Sequence, residues 1–181
     1  MLPFLDTMVR RAIVLIGRSM GVLVVLLVLV IMFDILTRGR FFIRSTSLQE
    51  LEWHLHTTVL MLCLGYAYLT DGHVRIGLLR DRWSPRTRAA VEAAGCILLL
   101  LPFCGTAAWY GIDYASLSFA QGEGSPSPGG LPYRWIVKAT VPTGMILLML
   151  AGLSVAARAI LEVLHGPSAD RPIFEEAAGN G

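Results

Sequence analysis

The side chains that could do chemistry here are few: four histidines, three cysteines and thirteen carboxylates in 181 residues. Two glutamate–histidine pairs stand out. Glu50 and His54, and Glu52 and His56, are each four residues apart, so each pair can meet along one helix face. One reading is a metal or haem site built on His54 or His56. A di-iron bundle would need glutamate and histidine three apart on two helices. A bis-histidine haem would need a second mid-helix histidine, whereas His73 falls in a loop and His165 near a helix end. The other reading is a set of hydrogen-bonded polar residues at a boundary. Cys63, Cys96 and Cys104 are odd in number and contain no C-x-x-C, so they indicate neither a disulfide relay nor a thiolate metal site. They read as small buried side chains. No catalytic residue, metal or cofactor is assigned.

The elements that must position these residues follow from composition. The chain is 55% hydrophobic and 15% charged, with a mean hydropathy of +0.63, where soluble domains carry about 25% charged residues. A soluble single-core enzyme is excluded, and a net charge of +2 gives no support to nucleic-acid binding. Crossing a bilayer takes about 20 apolar residues in a helix. Four stretches qualify, at about 12–34, 50–70, 89–112 and 133–162. Helix is the only open conformation for them, because backbone groups in lipid must be satisfied within the segment. The expectation is an all-α integral membrane domain over 1–166 with four transmembrane helices, followed by a disordered cytoplasmic tail over 167–181. The first stretch is too long for the ~7–15-residue apolar region of a signal peptide. Ten of the fifteen basic residues fall on the side of the termini, and Arg38, Arg40, Arg44, Arg134 and Lys138 fall on the other. The positive-inside bias therefore predicts that both termini are cytoplasmic.

Connections and helix ends are also readable. The segment from Asp71 to Arg88 alternates apolar and basic residues and could lie as a short in-plane helix in the headgroup layer. Ser84-Pro85 reads as an N-cap followed by proline in the first turn of the third helix. Pro102 predicts a kink, since it removes a backbone bond and crowds the Leu98 carbonyl. Glycine and proline make the outer loop, from Tyr114 to Leu131, irregular. Gly17-x-x-x-Gly21 offers a close-approach surface for helix packing. Arg134 and Lys138 occupy the first turns of the fourth helix, where the helix dipole disfavours cations. They need anionic partners, and Asp34, Glu50, Glu52, Asp113 and Glu123 are the candidates. Ionisable groups at mid-depth mark conduction and coupling sites, and no span carries a carboxylate or lysine at its middle. The chain is thus expected to support a membrane process and not to conduct.

Several runs together give a resemblance: ELEW at Glu50–Trp53, DGHVRI at Asp71–Ile76, SPRTR at Ser84–Arg88, and GEGSPSPGGLPYRWIVKATVPTG at Gly122–Gly144. The chain resembles the small membrane subunit of tripartite ATP-independent periplasmic (TRAP) transporters, the DctQ-like family, over nearly all of 11–164. Gly77 departs from the family, which usually shows an acidic residue there. The resemblance implies a bacterial inner-membrane protein that partners a large permease subunit and a periplasmic substrate-binding protein, with lipid around it. It implies a scaffold role in ion-coupled uptake of a small organic solute, often a carboxylate. Glu50, Glu52, Trp53, Glu123, Arg134, Trp135 and Lys138 would then lie on the docking and assembly side, with Asp71, Gly72, His73 and Arg75 in a cytoplasmic loop motif. A membrane anchor for a redox complex, binding haem or quinone, is the alternative from another class.

Overall fold

The computed structural model describes residues 2–41, 44–73, 82–166 and 173–174. Among these residues the chain forms four helices and no strand. They are α1 (Leu2–Phe41), α2 (Thr46–Leu69), α3 (Pro85–Ala120) and α4 (Trp135–His165). By length and composition α1, α3 and α4 can each cross a membrane. α2 carries Glu50, Glu52, His54 and His56 and falls below that criterion. At 1.5 Å per residue α1 is about 60 Å long, twice the hydrocarbon thickness of ~30 Å. It starts ten residues before the apolar stretch that marks it in the sequence, so Asp6 and Arg10 are helical.

Local chemistry sets the ends. The Ser45 hydroxyl caps α2 by accepting the Leu48 N–H at 3.3 Å. Ser84 caps α3 by accepting the Thr87 N–H at 3.2 Å, with Pro85 in the first turn. α2 stops in a Schellman motif: Asp71 takes a left-handed φ of 55°, its N–H bonds the Tyr68 carbonyl at 3.3 Å, and the Gly72 N–H bonds the Ala67 carbonyl at 2.8 Å. Aspartate is among the few non-glycine residues that tolerate this geometry. In α3 the α-helix widens into one π turn at Cys96–Leu100, where the Leu101 N–H reaches back to the Cys96 carbonyl. Pro102 cannot donate to Leu98, and this turn is where the ladder absorbs the loss. α3 then continues to Ala120, seven residues into the segment expected to be irregular. Tyr114–Ala120 contains no glycine or proline, so nothing stops the helix before Gly122.

The helices are ordered α1–α2–α4–α3, with α4 central and α1 touching α4 at its N-terminal end. Small residues permit the close approaches. A β-carbon on Gly17 would overlap the Tyr66 ring, one on Gly65 would lie 2.9 Å from the Leu147 carbonyl oxygen, and one on Gly144 would overlap the Met61 carbonyl. A β-carbon on Gly21 would meet open space. The core is made of Ile13, Leu69, Cys96, Ala151 and Val155, with a second cluster of Cys104, Ala108 and Met145. The segment expected to hold an in-plane helix lies outside the described residues over 74–81. So does the expected tail, except Ile173 and Phe174, which pack on the core.

Candidate functional site

Two polar clusters stand at opposite ends of the helices. The first gathers most of the assembly candidates where α2 and α4 begin. Glu50 sits one turn inside α2, and its carboxylate accepts the Leu131 N–H at 2.7 Å and the Ser125 hydroxyl. The Ser47 hydroxyl donates to the Gly129 carbonyl. Inside the loop, the Ser125 N–H bonds the Leu131 carbonyl and the Gly130 N–H bonds the Ser127 carbonyl, both at 3.0 Å. A side chain on Gly130 would collide with Ser125 and with Glu50 (2.8 Å), so glycine there lets the loop close over the carboxylate. Residues 121–134 are therefore a clasp tied to α2.

Glu123 ties the same loop to α4. Its carboxylate accepts a hydrogen bond from Lys138 and lies 4.0 Å from Arg134 Nε, while its carbonyl accepts the Arg134 N–H at 3.0 Å. The Lys138 bond, first among several causes, holds the Glu123 carboxyl below the usual carboxylate range. Lys138 also stands 3.9 Å above the centre of the Tyr114 ring, a cation–π contact. Trp135 packs edge-on against Phe119 at 5.2 Å and borders a lateral apolar cleft of about 350 Å³ between α3 and α4. Of the five acids available to the two cations, Glu123 takes both. Asp34 is 3% exposed and pairs with Arg38, and Asp113 lies exposed on α3.

The histidine pairs have a different geometry from a ligand set. His54 Nδ1 is 2.6 Å from the Glu50 backbone oxygen, so the ring bonds the helix ladder and not the Glu50 carboxylate. His56 is exposed. Glu52 Oε1 and His54 Nε2 are buried without a hydrogen-bond partner among the described residues. Trp53 is 67% exposed, pointing away from the core. Asp71 and Gly72 serve the helix stop described above, and the His73 ring is 5.8 Å from that of Tyr68. Arg75 lies outside the described residues.

The second cluster was not legible in the sequence. Arg10 is 2% exposed, yet it lies between α1 and α4. Its Nε donates to Ser154 Oγ at 2.6 Å, a second guanidinium nitrogen donates to the Ile173 carbonyl at 2.6 Å, and Asp6 is 3.5 Å away. Asp6 in turn accepts two bonds from Arg158, at 2.9 and 2.6 Å, and the Ser154 hydroxyl. Beside it, the Tyr68 hydroxyl donates to Glu92 at 2.7 Å and lies 2.9 Å from Cys96 Sγ. The only sequence signal was a repeated i,i+4 spacing, Asp6–Arg10 and Ser154–Arg158. This cluster locks the ends of α1, α4 and the tail together.

Neither cluster contains an arranged nucleophile and base, and among the described residues no group of three or more His, Cys, Asp or Glu could hold a metal ion. No curated protein matches the chain significantly. A family profile described as "Tripartite ATP-independent periplasmic transporters, DctQ component" matches residues 27–162, three quarters of the chain, from the C-terminal part of α1 through most of α4. The chain belongs to the DctQ family, the small membrane component of a tripartite transporter, and is not an enzyme.

Proposed function

We propose that this chain is the scaffold subunit of an ion-coupled uptake system of the bacterial inner membrane. It would cross that membrane four times with both termini cytoplasmic, and brace a large permease subunit that receives a small organic solute, a carboxylate, from a periplasmic binding protein. The observation that carries the supporting role is the distribution of charge. Carboxylates and lysine gather at the two ends of the helices, and none stands at the middle of a span, where a coupling-ion or proton site would be placed. Four spans need α2 to cross as well. Its charges sit in its first turns, and the charge-free Trp53–Thr70 would be shielded from lipid on two sides by α1 and α4.

In this reading the clasp faces the periplasm. Glu50 and Glu123 shape it from within, because the loop and α4 already use their carboxylates. Contact with partners would fall to exposed Trp53 and to the outer surface of loop 121–134. Asp71, Gly72 and His73 would close the cytoplasmic end of α2. The redox-anchor alternative draws no support from a transporter-component match. The test is co-production of a tagged copy with the large permease subunit and purification in mild detergent. The reading expects the large subunit to be retained near one-to-one. Normal expression of both with no retention would reject it.

A further inference from the structure

We propose that the exposed stripe of α1 around Arg18 is the seat of a membrane-spanning helix from a second polypeptide, and that this helix carries a carboxylate level with Arg18. Contacts within the chain fix the level. Asp6 pairs with Arg158 and Arg10 with Ser154, so α1 and α4 run antiparallel with Arg18 opposite Ile146. The independent chain of close approaches through α2, Gly17 on Tyr66 and Gly65 on Leu147, gives the same level. Ile146 is eight residues from Lys138 and twelve from Arg158, or about 12 and 18 Å from the charges that bound that apolar run. On α1 itself Arg18 is seven residues, about 10 Å, beyond Arg11, so it stands inside a hydrocarbon layer ~30 Å thick and not at its edge.

α1 has two faces. Ile13, Gly17, Met20, Leu27 and Asp34 are buried against the rest of the chain. Leu15, Arg18, Val22, Val25 and Leu29 form the opposite stripe, and all are exposed, Val22 at 74%. Arg18 makes no hydrogen bond or ion pair among the described residues, and the neighbouring Ser19 hydroxyl turns back to the Ile16 carbonyl. Arg10 shows how this fold neutralises an arginine that it keeps for itself, with Asp6, Ser154 and a tail carbonyl. Nothing comparable is built for Arg18. A guanidinium left against lipid inside the layer is costly.

Charge complementarity selects the occupant. A second copy packed symmetrically on this stripe would bring Arg18 against Arg18 in a low dielectric, which is repulsive. Apolar contact alone gives helices in lipid little reason to associate, whereas a polar pair supplies it. The identification of that second polypeptide as the large permease subunit rests on the proposed function.

The test uses the full chain co-produced with the large subunit. A photo-crosslinking residue is placed at Val22 or Val25 on the stripe, and at Leu153, exposed on α4, as a control. Arg18→Leu and Arg18→Lys are purified in parallel. The expected result is adducts with the large subunit from positions 22 and 25. Arg18→Leu should retain at least tenfold less subunit, Arg18→Lys should restore much of it, and the melting temperature of the isolated chain should not fall. Adducts only with lipid or a second copy, or unchanged retention in Arg18→Leu, would overturn the inference and leave the functional reading standing. A wild-type preparation that retains no large subunit would overturn both.

Discussion

Removing Asp6 should release the first turns of α1 from α4. In the native chain its carboxylate accepts two bonds from Arg158 and one from Ser154, and it stands 3.5 Å from Arg10, which is 2% exposed. Breaking a buried ion pair from one side costs about 3–5 kcal/mol, because the remaining charge stays desolvated. Asp6→Ala belongs at the lower end, about 3 kcal/mol, since Arg10 keeps Ser154 and the Ile173 carbonyl and Asp6 itself is 23% exposed. That is roughly 150-fold in the folding equilibrium, or a fall of roughly 6–12 °C in Tm for a chain of this size. Arg158→Ala should cost less, because Asp6 would keep the Ser154 hydroxyl and Arg10 as partners. The double variant should be less destabilised than the two singles summed, by about 1 kcal/mol or more of coupling. The assay is reversible unfolding in mixed detergent micelles, with hydrogen exchange over residues 4–12 to locate the loss. Asp6→Ala within ~0.5 kcal/mol of wild type, a shift expected of a neutral surface change, would show that the cluster does not hold α1 to α4.

Three further outcomes follow from the same structure. Glu50→Ala removes the acceptor for the Leu131 N–H and the Ser125 hydroxyl, so loop 121–134 should exchange its amides at least tenfold faster while α3 and α4 keep their protection. Gly17→Val should lower Tm by several degrees, since its β-carbon would collide with Tyr66, whereas Gly21→Val should change it little. Glu123 titrates below the usual carboxylate range, so its contribution is present above pH ~4.5 and is lost as the pH falls through the lowered value. Loop protection factors should therefore fall on acidification below pH ~4.5, and Glu123→Gln should leave only the part of that fall that comes from Glu50.

The helices and several of their ends were readable because the signals are local. Ser84-Pro85 announces the start of α3 by its capping chemistry, and Asp71-Gly72 stops α2 by the left-handed turn that these residues tolerate. The continuation of α3 through Tyr114–Ala120 was missed because the glycine- and proline-rich run that begins at Gly122 was extended back over a stretch that holds no helix breaker. The lock at Asp6 and Arg10 was invisible for a different reason. Arg10 and Ser154 are 144 residues apart, and a charge at the edge of an apolar run looks like a loop charge until the helix is seen to extend past it. The choice of Glu123 over four other acids as partner of Arg134 and Lys138 likewise depended on how the loop folds back.

Reconstituted transport addresses the central claim most directly. Proteoliposomes would contain the large permease subunit with or without this chain, supplied with the periplasmic binding protein, its solute and an imposed ion gradient. The account predicts uptake only when both membrane subunits are present, and none from vesicles holding this chain alone. Uptake by this chain without the large subunit, or equal uptake by the large subunit without this chain, would contradict it.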